Sequence, residues 1–147
     1  MADFYVSTWN ELNEQLFANT WHERLGRYRS NYVYRGLPDV SYDFRTSLMR
    51  LGGAYENLEG PLLRTFRRYA HRDAVPGDSI WNWLAVAQHH GLPTRMLDWT
   101  YSPFVALHFV TQKMECFDHD GIVLCIDYVA AKQFLPAALK SILDEED

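Results

Sequence analysis

Apolar positions recur at helical spacing near the start of the chain, where Trp9, Leu12 and Leu16 share one face. Thr8 followed by Glu11 forms a capping box that opens this helix, which reads as packing rather than chemistry. Tyr55, Leu58, Leu62, Phe66 and Tyr69 repeat at three- and four-residue intervals and predict an amphipathic helix over about Ala54 to His71. Pro61 falls inside it, at a cost of about 3 kcal/mol in a helix interior, so either the helix kinks there or Pro61 is the first residue of a restarted helix. After a loop at Asp73 to Asp78, Ser79 caps a further helix carrying Ile80, Trp83, Leu84 and Ala87 up to His90. These two helices are expected to pack on each other or on a sheet.

Strand-like patterns are short. Phe4 to Val6 reads as a short strand, and Tyr32-Val33-Tyr34 is β-prone and ends at Gly36, which places Arg35 at a strand end. Tyr42 to Leu48 reads as irregular or short strand, and Thr94 to Trp99 as a short extended stretch. Ile122 to Ile126, following the turn at Asp120-Gly121, is a continuous apolar run that predicts a buried central strand. Ala130 to Leu143 has helical spacing broken by Pro136. Several helices around a few short strands give an α+β fold, expected as one domain over residues 1–147. A central Ile122 to Ile126 strand needs neighbours on both edges, which predicts a homodimer or another partner covering a bare edge.

Composition supports a packed core, with 48% hydrophobic and 15% aromatic residues. A formal charge of −5 gives no overall basic field, so non-specific attraction to a nucleic-acid backbone is not implied. Cys116 and Cys125 lack CxxC spacing and read as reduced thiols in a cytoplasmic protein. The N-terminal residues have no basic and apolar regions of a secretory signal, and no run reaches the roughly 18 apolar residues that span a membrane. The acidic end, Asp144 to Asp147, reads as a solvated tail. No dinucleotide-binding fingerprint or P-loop is present.

The chemistry concentrates in Gln88 to Thr111, QHHGLPTRMLDWTYSPFVALHFVT, and in Tyr34-Arg35-Gly36. Gly91 supplies the positive φ of a helix C-cap and Pro93 prevents the helix from resuming; Ser102-Pro103 reads as an N-cap with a proline at the first helical position. Arg35 offers five rigid donors to a phosphate or carboxylate, and Gly36 would let a ligand approach the backbone; alternatively Arg35 pairs with a buried carboxylate such as Asp98 or Glu59. Asp98, between Leu97 and Trp99, is expected to be partly buried, with either a fold-locking or an active-site role. His89 and His90 diverge by roughly 100° on a helix and have no i, i+4 partner, so no metal site is expected, while one of them lines a pocket or packs at the helix end. Arg95 and Asp98 are not expected to pair directly. Trp99 and Phe104 are either core or a stacking platform, and Thr100 and Ser102 either cap the helix or contact a ligand. Arg35, His90, Asp98 and Ser102 are expected to converge in one cleft.

The run QHHGLPTRMLDWTYSPFVALHF, together with Tyr34-Arg35-Gly36, TSLMR at Thr46 to Arg50, Glu59 with Leu62, Leu63 and Phe66, and Trp83, resembles the FRG domain, a bacterial and phage module. The resemblance covers about Trp9 to Asp127. Tyr34-Arg35-Gly36, Thr100-Tyr101-Ser102 and Ala106-Leu107-His108-Phe109 are also similar, in that order, to motifs of arginine-first ADP-ribosyltransferases. That likeness implies NAD as cofactor, with Arg35, Gly36, His90, Arg95, Thr100 and Ser102 around it, a macromolecular acceptor, and no metal. It also requires a late carboxylate to stabilise an oxocarbenium-like ribose. No Glu-x-Glu element follows Ile126, so Asp98, Glu59 or Asp127 would substitute, the chain would be a shortened member of the family, or the domain would be a non-catalytic nucleotide- or protein-binding module. The reading taken is an FRG-type, ADP-ribosyltransferase-like nucleotide-binding domain, with Arg35, Asp98 and Glu59 as the catalytic candidates.

Overall fold

A computed structural model describes residues 3–70, 79–137 and 139–140. The predicted loop at Asp73 to Asp78, the acidic tail and the end of the predicted C-terminal helix lie outside the described residues. Among those described the architecture is α+β, with five α-helices and two two-stranded antiparallel sheets. Where the sequence reads as one domain, backbone contacts divide the chain into two compact units, one holding the residues up to Val40 and from Trp99 onward, the other Ser41–Asp98.

In the first unit, α1 (Trp9–Leu16) begins with the expected capping box. The Glu11 N–H donates to Thr8 Oγ1 at 3.2 Å, and the Thr8 N–H donates back to the Glu11 carboxylate at 3.3 Å. A small hairpin follows, β1 (Trp21–His22) and β2 (Arg27–Tyr28), pairing Trp21 with Tyr28 and His22 with Arg27. Gly26, at φ 56°, turns the chain between them.

β3 (Tyr32–Leu37) runs antiparallel to β4 (Ile122–Asp127), with Tyr34 opposite Cys125 and Arg35 opposite Leu124. Strand alternation sends Tyr32, Tyr34 and Gly36 to one face and Val33, Arg35 and Leu37 to the other. The first face carries the core, where Tyr34 and Leu16 pack with Ala106 of α4 (Pro103–Thr111), and Tyr32, Leu107 and Val123 close around them. Gly36 is required here because a Cβ at this position would lie 1.9 Å from the Ala106 carbonyl oxygen. The space that the sequence reading gave to an approaching ligand is taken by the backbone of α4.

Two strand expectations are corrected. Ile122 to Ile126 is not a buried central strand: among the described residues its strand neighbour is β3 alone, and Cys125 and Ile126 are exposed. Phe4 to Val6 forms no strand, and Phe4 and Tyr5 stand in solvent. After β4, Asp127 caps the short helix α5 (Tyr128–Ala131), its Oδ1 accepting the N–H groups of Val129 and Ala130.

The second unit is built on α2 (Glu59–Tyr69) and α3 (Ile80–His89), joined through Leu63, Trp83, Leu84 and Ala87, with Phe66 and Leu92 against them. A 3-10 turn at Tyr55–Asn57 precedes α2, so the predicted single helix restarts at Glu59. Pro61 is its third residue, where the missing N–H is one of the first four that have no acceptor within a helix.

Candidate functional site

In the second unit the signature segment closes on itself. α3 ends in a Schellman motif: Gly91, at φ 84°, donates its N–H to the Gln88 carbonyl at 2.9 Å, and Leu92 donates to the Ala87 carbonyl at 2.9 Å. The chain then runs past Thr94, which is fully buried. Its hydroxyl donates to Gln88 Oε1 and accepts the Met96 N–H at 3.3 Å. Its own N–H donates to Ser47 Oγ at 3.0 Å, and its carbonyl accepts the Leu48 N–H at 3.1 Å. Thr46 Oγ1 accepts the Met49 N–H, so the TSLMR element is a turn docked onto Thr94.

Beside it the Glu59 carboxylate, only 4% exposed, accepts the Arg95 backbone N–H at 2.9 Å and is bonded by both Nε and a terminal nitrogen of the Arg95 guanidinium. This bonding holds the Arg95 guanidinium above its usual range, with the hydrogen bond it donates to Glu59 the largest cause. Ladder bonds are thereby replaced by side-chain acceptors, and Thr94 to Trp99, expected as a short extended stretch, forms no strand and bends at Arg95. Gln88 completes the bracket by donating from Nε2 to Asp98 Oδ1 at 2.5 Å. Asp98 itself is exposed, which corrects the expectation of partial burial: a charged side chain with a solvent path costs less there than burial between Leu97 and Trp99 would. His90 caps α3 with its ring 6.0 Å from Phe66, and His89 lies 5.6 Å from it, ring to ring.

In the first unit Arg35 sits mid-strand in β3, half-buried, next to Tyr34. Tyr34 pairs on its second edge with Thr100: the Tyr34 N–H donates to the Thr100 carbonyl at 2.7 Å and the Thr100 N–H returns to the Tyr34 carbonyl at 2.9 Å. Arg35 is therefore inside the strand rather than at its end. Thr100 Oγ1 accepts the Ser102 N–H at 3.1 Å, and Ser102 Oγ accepts the Val105 N–H at 3.4 Å as the N-cap of α4, with Pro103 in the first helical position. Bridge partners share a sheet face, so Thr100 lies on the side of Tyr34. The ring of Tyr101 meets that of Tyr128 at 5.9 Å.

The first unit thus brings Arg35 and Gly36 next to the Thr100 to Ser102 segment. Glu59, His90, Arg95 and Asp98 belong to the second unit. Sequence reasoning missed Gln88, Thr94 and Ser47 as the internal brace, and the hairpin from Trp21 to Arg29, whose signal was two aromatic residues interleaved with arginines. No group of three or more candidate metal ligands occurs among the described residues.

The FRG domain model matches residues 30–119, more than half of the chain, and the protein belongs to the FRG domain family. The match contains the Tyr-Arg-Gly strand, the turn at Thr46 to Arg50, Glu59 and the whole QHHGLPTRMLDWT segment. Neither the comparison with curated proteins nor that with solved structures finds a match. No described helix is long and apolar enough to cross a membrane.

Proposed function

We propose that the domain binds NAD or a related nucleotide through Arg35 and the Thr100 to Ser102 segment, and that it acts as an ADP-ribosyltransferase-like module on a macromolecule. The observation that carries the reading is the pairing of Tyr34 with Thr100. It sets the Tyr-Arg-Gly strand beside the segment leading into α4, in the order that the resemblance to arginine-first transferases requires. Arg35 supplies a planar fork of donors for a pyrophosphate, and Trp99 and Tyr101, flanking Thr100 in the chain, supply ring faces for a base or nicotinamide. Thr100 and Ser102 hold this segment and the α4 start in shape.

The acceptor-side chemistry needs a carboxylate near the ribose. Asp127 is the candidate in the same unit, and its Oδ1 already accepts two backbone N–H groups. That engagement favours a second reading, in which the domain binds the nucleotide without turning it over. A thermal shift with NAD, ADP-ribose and nicotinamide tests binding: at about a hundred times Kd a ligand stabilises the native state by about 2.7 kcal/mol, a rise of roughly 5–15 °C. Release of nicotinamide then separates the transferase from the binder. No shift with any of the three ligands contradicts both readings.

A further inference from the structure

Backbone directions in the β3–β4 pair show which edge of this sheet is open. In an antiparallel pair, residues alternate between those whose N–H and carbonyl both face the neighbouring strand and those whose groups both face away. The N–H and carbonyl of Tyr34 are both bonded to Thr100, at 2.7 and 2.9 Å, on the side of β3 away from β4. Tyr34 and Cys125, which stand opposite each other, are therefore a non-hydrogen-bonded pair, and the N–H and carbonyl of Cys125 point out from the far edge of β4. The same alternation turns those of Val123 outward and those of Ile122, Leu124 and Ile126 toward β3. Two bonds just beyond the strand agree: the Asp120 carbonyl accepts the Val40 N–H at 2.7 Å, and the Tyr128 N–H donates to the Asn31 carbonyl at 3.0 Å, both with residues flanking β3. Among the described residues the outward groups of Val123 and Cys125 meet no hydrogen-bond partner.

Sheets ordinarily protect such an edge with a lysine, a proline, a bulge or a covering element. β4 has none of the first three: it reads Ile-Val-Leu-Cys-Ile-Asp and pairs with β3 without interruption from Ile122 to Asp127. Cys125 and Ile126 are exposed on it, and Ile122, Val123 and Leu124 are half-buried. An unprotected apolar edge of this kind is a template for one more strand.

The strand that fits is β4 itself. Two copies related by a two-fold axis pair β4 antiparallel, with the residue on the axis opposite its own copy. With Leu124 on the axis, Val123 meets Cys125 of the second copy, so the outward groups bond to one another, and Ile122 meets Ile126. Every side chain from Ile122 to Ile126 then faces an apolar one. Asp127 falls opposite Gly121 and Asp120 opposite Tyr128, and strand alternation sends these two carboxylates to opposite faces. Moving the axis to Cys125 sets Asp127 against Val123 and requires Ile122 to pair with Tyr128, which already belongs to α5. Moving it to Val123 sets Asp120 against Ile126. Charge and apolar pattern together select the Leu124 register.

We propose that β4 joins β4 of a second copy in this register, making one continuous antiparallel sheet from the two pairs. The partner is a second copy because bond direction, apolar pattern and charge are all satisfied by the same strand used twice. The contact lies on the sheet edge opposite to Thr100, so it stands independently of the nucleotide reading.

Light scattering on the full chain over a wide concentration range should show a mass of two chains that falls toward one on dilution. A disulfide trap reads the register. In a Cys125→Ser background, Leu124→Cys sets two sulfurs in a directly opposed pair with Cα atoms about 4.5 Å apart, inside disulfide range, and should crosslink on mild oxidation. Cys125 in the wild type, and Ile126→Cys in the same background, face their own copies only diagonally or farther off and should not crosslink. Cys125→Pro removes an outward N–H and spares the ladder to β3, so it should raise the Kd of the dimer about tenfold or more. If that variant fails to fold, the wild-type mass and the trap still decide. A monomer at every concentration, including one that takes up an added β-prone peptide of another sequence, would overturn the proposal. So would a dimer indifferent to a folded Cys125→Pro variant, or crosslinking through Cys125 or Ile126→Cys in place of Leu124→Cys.

Discussion

In the segment from Gln88 to Asp98 the polar side chains turn inward on the chain itself: Gln88 holds Thr94 and Asp98, Glu59 holds Arg95, and Ser47 holds the Thr94 backbone. In the hairpin from Trp21 to Arg29 they turn outward, with three guanidinium groups and two aromatic rings on the surface. The family match covers the first region entirely and stops short of the second. A densely polar motif is thus explained, over much of its length, by hydrogen-bond satisfaction of a loop that has no ladder to join. Binding chemistry has to be sought where side chains are not already spent.

The largest expected effect tests whether packing alone explains one glycine of the Tyr-Arg-Gly motif. Gly36→Ala drives a methyl into the Ala106 carbonyl and should destabilise by about 3 kcal/mol, the upper end of overpacking costs, in a denaturant melt. A neutral result would return Gly36 to a ligand. Next, Glu59→Ala removes a buried acceptor and leaves the Arg95 N–H unpaired, at about 2–3 kcal/mol, whereas Arg95→Ala should cost under about 1 kcal/mol because its guanidinium is 61% exposed. Equal costs would mean that Arg95, not its backbone, is what Glu59 serves.

Tyr34→Phe loses the hydrogen bond from the Tyr34 hydroxyl to the Leu16 carbonyl, 3.1 Å long, and should cost about 1 kcal/mol. Burial pushes this hydroxyl above the ordinary phenol range, so its contribution is complete below about pH 10 and is lost as pH rises through the raised value. The variant's alkaline melt should be correspondingly flatter. The smallest effect concerns Cys125, exposed on β4, whose thiol is pushed up by desolvation and by the Asp127 charge. It should alkylate more slowly at neutral pH than a free thiol, and Asp127→Asn should speed it modestly, read by mass spectrometry.

What was legible in the sequence is local. The Thr8/Glu11 box, the Gly91 C-cap, the Ser102-Pro103 helix start and the Tyr32 to Gly36 strand each follow from residues within one turn or one strand. What was not legible is nonlocal: the bonds from Ser47 to Thr94 span 47 residues and those from Glu59 to Arg95 span 36. No periodicity encodes such partners. Ile122 to Ile126 misled because an apolar run indicates burial without saying how many faces are covered, and here α4 covers one. Asp98 misled because its neighbours in sequence are apolar while its own carboxylate reaches solvent and Gln88. Of the candidate site, Arg35 was expected near Thr100 and Ser102 from the resemblance alone, and the pairing of Tyr34 with Thr100 supplies the contact that no local pattern encodes.

The most direct test of the functional account is the NAD-dependent thermal shift of Arg35→Lys set against Arg95→Lys. Lysine keeps the charge but loses the planar fork, so a pyrophosphate anchor loses at least one aligned charge-assisted bond of about 1.5 kcal/mol and about tenfold in affinity. The account predicts that Arg35→Lys needs about tenfold more NAD than the wild type for the same shift, while Arg95→Lys responds to NAD as the wild type does. A wild-type protein unmoved by NAD, or an Arg35→Lys variant with an unchanged NAD response, would contradict it.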